Sequence, residues 1–153
     1  MSATLLSAIE RGVTEPSLRT LRSLAEVFGQ SVSLLFDDPD APAVHISVPG
    51  ERTTIRAPRG HIHYERLSSS NGKLEMLRGV LEPGEVSSDE PWSHPSVESV
   101  YVTAGVLTVE VAGRDYEVRA GQAITIDSRQ AHRYRNCSGD GVEFVLACAP
   151  PTP

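Results

Sequence analysis

Trp92-Ser93-His94-Pro95-Ser96-Val97-Glu98-Ser99-Val100-Tyr101-Val102-Thr103-Ala104-Gly105 is the stretch on which the fold turns. Val97 to Val102 is rich in β-branched and aromatic residues and soon reaches a glycine, the composition of a strand running into a turn. The same texture recurs outward: Lys73 to Leu81, Val106 to Val111, Ala123 to Ile126 and Val142 to Ala147. Gly105, Gly113 and Gly121 punctuate it at eight-residue spacing. Short strands at that spacing predict an all-β sandwich or barrel. Composition fits a sandwich with a filled core and a barrel that holds a ligand equally well.

Upstream the material changes. Asp37 to Gly50 holds Asp37, Asp38 and Asp40 with Pro39, Pro42 and Pro49, and reads as a linker with Val44 to Val48 extended. Residues 1–36 read as helices. Ser2 caps a first helix with apolar positions Leu5, Leu6 and Ile9, and Gly12 suits the left-handed residue past its end. Pro16-Ser17 starts a second, whose buried face is Leu18, Leu21, Leu24, Ala25 and Phe28, a spacing of three and four. Ser31 to Phe36 gives a third, with Val32, Leu35 and Phe36 inward. Three short helices make a poor core of their own. The expected division is a head over 1–36, a linker over 37–50 and a β body over 51–153.

The 153 residues are 39% hydrophobic, normal for one globular domain. No run of 18 apolar residues exists, which excludes a membrane-spanning helix, and Met1 to Leu6 carries no secretory pattern. Cys137 and Cys148 stand 11 apart without a CxxC, which argues against a disulfide scaffold or structural zinc cluster and for reduced thiols in a cytoplasm. The net charge of −6 gives the whole chain no basic footprint. The head is neutral, with Arg11, Arg19 and Arg22 balanced by Glu10, Glu15 and Glu26.

Of the five histidines, His94 and His132 carry the chemistry. His94 and Glu98 are four apart, an even spacing that puts both on one strand face. His132 precedes Arg133-Tyr134-Arg135-Asn136. Two imidazoles and one carboxylate with open positions form the facial triad of non-haem Fe(II) sites, and the same three suit zinc, manganese or nickel. A polar patch without an ion is the competing reading. His61-Ile62-His63 lacks a Glu four residues on and reads as a solvated edge; His45 falls in the linker.

Residues 51 to 151 resemble a cupin, a small double-stranded β-helix barrel. The resemblance rests on His94, Glu98 and Gly105 of a first motif and on Gly121, His132 and Asn136 of a second, with the close Ala149-Pro150-Pro151. Trp92 stands where a first metal histidine is usual, and Asp127 replaces a proline. The resemblance implies a mainly β fold, a cupin barrel with a small N-terminal α-helical segment. It also implies a ligand pocket at Trp92, His94, Glu98 and His132, and a divalent-metal site at His94, Glu98 and His132.

The head resembles the second half of an XRE-family, lambda-repressor-like helix-turn-helix domain. The matching stretches are Ser2 to Gly12, Pro16 to Leu21, Leu24 to Gly29 and Ser33 to Phe36. In such domains a recognition helix enters the major groove by its N-terminal residues. The resemblance places Ser2, Ala3, Thr4 and Ser7 at base-facing positions and Arg11 at the backbone. It also implies two further helices before this point, so the head is expected to be N-terminally truncated. With three arginines to neutralise phosphate, the 153-residue chain is expected to bind an operator weakly.

Three functions compete. The first is a cytoplasmic transcription regulator, a homodimer on operator DNA whose cupin body senses a small-molecule effector. The second is a metal-dependent enzyme of oxygenase, epoxidase or isomerase type using His94, Glu98 and His132. The third is a structural or storage cupin. The dense head match and the missing first histidine favour the regulator.

Overall fold

The structure, a computed structural model, describes residues 2–28, 44–56, 62–69 and 73–151. The chain divides into two compact units, Met1–Pro42 and Ala43–Pro153. In the first, helix α1 spans Ala3–Glu10 and helix α2 spans Leu18–Val27. Each begins at a serine whose side-chain oxygen accepts an orphan backbone N–H: Ser2 from Leu5 and Ser17 from Thr20, both at 3.2 Å. Past α1, Gly12 takes a left-handed φ of +67° and donates to the Ile9 carbonyl at 2.9 Å, closing the helix end. Ala25 is buried and Leu21 and Leu24 are partly so, but Phe28, expected on that face, is 64% exposed. The helix stops at Val27 and Phe28 is its C-cap, beyond the last full turn. The third helix expected at Ser31 to Phe36 lies outside the described residues.

The second unit is built from nine strands among the described residues: β1 (Thr54–Arg56), β2 (His63–Arg66), β3 (Glu75–Leu81), β4 (Val97–Ala104), β5 (Val106–Val111), β6 (Arg114–Arg119), β7 (Ala123–Asp127), β8 (His132–Arg135) and β9 (Val142–Ala149). They form a six-stranded sheet in the order β1-β2-β3-β9-β4-β7 and a three-stranded sheet in the order β6-β5-β8. All strand pairs are antiparallel. Five strands fall where the alternating runs placed them, within two residues at either end. Val44 to Val48 joins neither sheet.

Alternation builds the core. On β9, Val142, Phe144, Leu146 and Cys148 point inward; on β3, Leu77 and Leu81; on β4, Val100 and Val102; on β5, Leu107 and Val109. Phe144 fills the centre and sets the composition opposite it. It pairs with Gly79, where an added Cβ would lie 2.6 Å from the ring tip. Gly105, between β4 and β5, holds φ at +78°, and a Cβ there would meet the Gly141 carbonyl oxygen at 2.6 Å.

Candidate functional site

Three elements deliver the polar cluster inside the barrel. β4 turns Glu98 inward, two residues ahead of core Val100. β8 turns His132 and Tyr134 inward together, since they are two apart on one strand. The segment before β4 brings Trp92 and His94. This segment has no regular structure, so its backbone is fastened elsewhere. Trp92 exchanges backbone hydrogen bonds with His132, at 3.1 and 2.9 Å. The His94 N–H donates to the Ser128 carbonyl at 2.9 Å, and the Ser96 hydroxyl to the Pro150 carbonyl at 2.7 Å.

Glu98 is the hub. His94 Nε2 lies 2.7 Å and His132 Nε2 3.4 Å from its Oε1, with none of the three side chains more than 4% exposed. The Tyr134 hydroxyl donates to Oε2. His132 Nδ1 sits 2.9 Å from the Gln130 carbonyl and, as its donor, turns Nε2 toward Glu98. Glu98 Oε1 is therefore approached by both imidazoles, His94 and His132.

His94 is the odd member. Both its ring nitrogens are buried without a hydrogen bond. Its Nε2 is close to Oε1 in distance but off the hydrogen-bonding axis. Such an orphan is costly unless something satisfies it.

The electrostatics follow from burial and neighbours. Burial holds the His94 imidazole below its ordinary range despite the pull of Glu98, and His132 pushes it the same way. For His132 burial pulls down, but the Glu98 carboxylate and the Gln130 carbonyl outweigh it and the net shift is upward. Burial would raise the Glu98 carboxyl, yet hydrogen bonds from His132 and Tyr134 and the nearby imidazoles hold it low. The surroundings thus favour the carboxylate form of Glu98 and the neutral form of His94, and shift His132 toward its protonated form.

Trp92 roofs the cluster. Its ring centroid is 4.5 Å from that of His94 and 6.2 Å from that of His132, inclined to them by 36° and 30°, and it is half exposed. Two open grooves, of about 470 and 340 Å³, lie elsewhere: one along Tyr116 to Val118 and Gln122 to Ile124, the other along His45 to Val48, Glu51 to Thr53, Arg66, Ser68 and Ser69. The side chains of His94, Glu98 and His132 are themselves buried beneath Trp92.

Two members had no spacing signal. Tyr134 lies in the polar run His-Arg-Tyr-Arg, where the inward residues are themselves polar. Cys148 comes from cross-strand register: it is the partner of Glu98 on neighbouring β9. The ligand atoms of His94, Glu98 and Cys148 lie within 4.8 Å of one another. This donor chemistry and the orphaned imidazole fit a divalent cation, which at such a site supplies Lewis acidity or a fixed charge.

The remaining marked residues are accounted for. His45 and His63 are exposed, and His61 lies outside the described residues. Asn136 is buried and structural, donating to the Leu81 and Asp140 carbonyls at 2.9 and 2.8 Å. Asp127, at the position of the missing proline, pairs with Arg129 at 2.8 Å. On the head, Ser2, Ala3, Thr4 and Arg11 are exposed and Ser7 partly so, and α1 has no buried residue.

Comparison with known proteins agrees with both units. A cupin domain model matches residues 77–148, and a helix-turn-helix model matches residues 1–35. The chain is 26% identical over 149 residues to the HTH-type transcriptional regulator PuuR of Escherichia coli, covering 96% of this chain and 80% of that one. It is 35% identical over 79 residues to the polyketide synthase CurC of Streptomyces cyaneus, about half of each protein. The crystal structure of an HTH_3 family transcriptional regulator from Vibrio cholerae shares its fold, with a TM-score of 0.53 and 23% identity over 99% of this chain and 82% of that one. The chain thus carries an XRE-type helix-turn-helix segment followed by a cupin domain.

Proposed function

We propose that this helix-turn-helix protein is a transcription regulator whose cupin domain is the sensor, and that the effector is read at the cluster of Trp92, His94, Glu98 and His132. One observation carries the reading: a helix-turn-helix segment and a cupin barrel with a buried polar cluster, in which His94 has no hydrogen bond, occur in one chain. A ligand that satisfies His94 contributes binding energy, and it biases DNA binding only if its affinity differs between the free and DNA-bound states.

The head contributes the DNA contacts. Thr4 and Ser7 on α1 and Arg11 at its C-cap recur at spacings of three and four, exposed or partly so, with Ser2 and Ala3 at the helix start. No acidic residue occupies the first turn of α1, so nothing there opposes a phosphate. A two-fold operator calls for a homodimer.

The divalent ion is assigned to His94, Glu98 and His132, with iron, zinc, manganese and nickel as candidates. Tyr134 and the Gln130 carbonyl then act as outer supports that fix the carboxylate and the imidazole. A second reading, a metal-dependent enzyme, is favoured by that same donor set.

Elemental analysis of the purified full chain, followed by fluorescence titration, separates the two. Trp92 is the chain's single tryptophan and sits on the cluster, so its emission reports occupancy. The sensor reading expects a ligand- or ion-dependent emission change together with a change in DNA affinity. Turnover of a substrate with DNA affinity unmoved would favour the enzyme.

A further inference from the structure

We propose that Cys148 is a thiolate ligand of the barrel's ion, acting with His94 and Glu98, and that the site therefore selects a thiophilic divalent cation such as zinc. The inference rests on the reading of the cluster as a divalent-ion site and adds a residue and a selectivity to it.

Position comes first. Glu98 and Cys148 are register partners on adjacent strands, so their side chains leave the same inward face side by side. Cys148 is 2% exposed, and its sulfur lies within the 4.8 Å span that also holds donor atoms of His94 and Glu98. His94, more than nine-tenths buried, has no hydrogen bond at either nitrogen and comes within 2.7 Å of the same carboxylate oxygen. Tyr134 occupies the other carboxylate oxygen, so Oε1 is the one left for an ion.

Charge supplies the second argument. An ion of charge +2 held by Glu98 and neutral imidazoles leaves a buried net charge of +1. A thiolate as the second anion neutralises the centre, which removes the desolvation penalty of an uncompensated charge. Cys148 now donates weakly to the Pro150 carbonyl at 3.3 Å. On binding, the S–H proton leaves to solvent and the sulfur–metal bond takes its place. The Pro150 oxygen is not orphaned, because Ser96 continues to donate to it at 2.7 Å. A sulfur, imidazole and carboxylate set favours zinc over magnesium or calcium.

The test uses the full chain carrying Cys137→Ser. Cys137 is exposed, and the sequence has two cysteines, so this variant leaves Cys148 as its only thiol without disturbing the core. Titration with cobalt(II) is expected to raise a near-ultraviolet sulfur-to-cobalt charge-transfer band that saturates at one ion per chain and is bleached by zinc. Adding Cys148→Ser is expected to abolish the band and to lower zinc affinity by about tenfold or more. Cobalt bound with visible ligand-field absorption but no sulfur band would overturn the role of Cys148 and leave the imidazole–carboxylate site standing. No cobalt binding would overturn both. The Cys137→Ser variant alone decides, so a Cys148→Ser chain that fails to fold does not blunt the test.

Discussion

The two units spend their apolar residues in opposite ways. In the barrel, Leu81, Val100, Val102, Leu107, Val109 and Phe144 are completely buried. In the head, Val13, Val27 and Phe28 are well exposed, and Ala25 is the buried residue among its described side chains. The barrel holds itself together by burial, whereas among the described residues α1 and α2 are capped at their starts and bury fully only Ala25. The exposed residues of α1 and its caps include the short hydroxyls of Ser2 and Thr4 and the Arg11 guanidinium.

The sharpest way to break that contrast is a set of three substitutions. Phe144→Ala is expected to cost the barrel about 3–5 kcal/mol, seen as a large drop in urea midpoint. Glu98→Gln comes next, at about 1–3 kcal/mol, because His132 loses its carboxylate while the shape is kept. It is also expected to abolish ion binding, read by elemental analysis. On the head, Phe28→Ser is expected to change stability by no more than about 0.5 kcal/mol. A Phe28→Ser chain that unfolds would show that the head's apolar surface is not free.

How much of this was legible in the sequence differs by region for the same physical reason. β3, β4, β5, β7 and β9 announce themselves because one face is apolar and buried. β6, Arg-Asp-Tyr-Glu-Val-Arg, buries only Val118 along an edge, where charge is normal. β8 has His132 and Tyr134 on its inner face, so its pattern is polar on both sides. The short strands β1 and β2 bury little. Even spacing marks His94 and Glu98 as sharing one strand face, but β4 begins at Val97, so His94 reaches Glu98 from the irregular segment before it; His132 is marked by its motif. Cys148 has no such mark, because it meets Glu98 through a pairing across 50 positions of chain, and strand register is not written in local spacing. Phe28 misled, since periodicity says which face a residue shares but not where the helix stops.

Smaller effects sharpen the comparison further. Arg11→Ala is expected to reduce the salt slope of DNA binding by about 1 per protomer and to weaken all sequences alike, measured by anisotropy at several salt concentrations. An unchanged slope would remove Arg11 from the phosphate contacts.

The smallest effect is a pH dependence on the barrel's outer face. The hydrogen bond from Arg78 holds the Glu143 carboxyl below its usual range, and that from Arg52, helped by Arg78, does the same for Glu65. Folded-state values below the unfolded ones mean that these pairs stabilise the barrel above the ordinary carboxylate range. That contribution fades as pH falls through the lowered values. Arg78→Leu should therefore flatten the acid limb of a melting-temperature profile. Solvent screens these partly exposed groups, so the change is small. An acid limb unaltered by the substitution would assign the acid sensitivity to other groups.

One titration tests the central claim most directly. A fluorescent operator duplex, selected from a random pool with the full chain at low ionic strength, is held with the protein while zinc is added. Trp92 emission and DNA anisotropy are followed in the same cuvette. The expected result is that both signals change with one midpoint, because occupancy of the cluster and DNA affinity are linked. Saturation of the Trp92 signal with the anisotropy unmoved would contradict it.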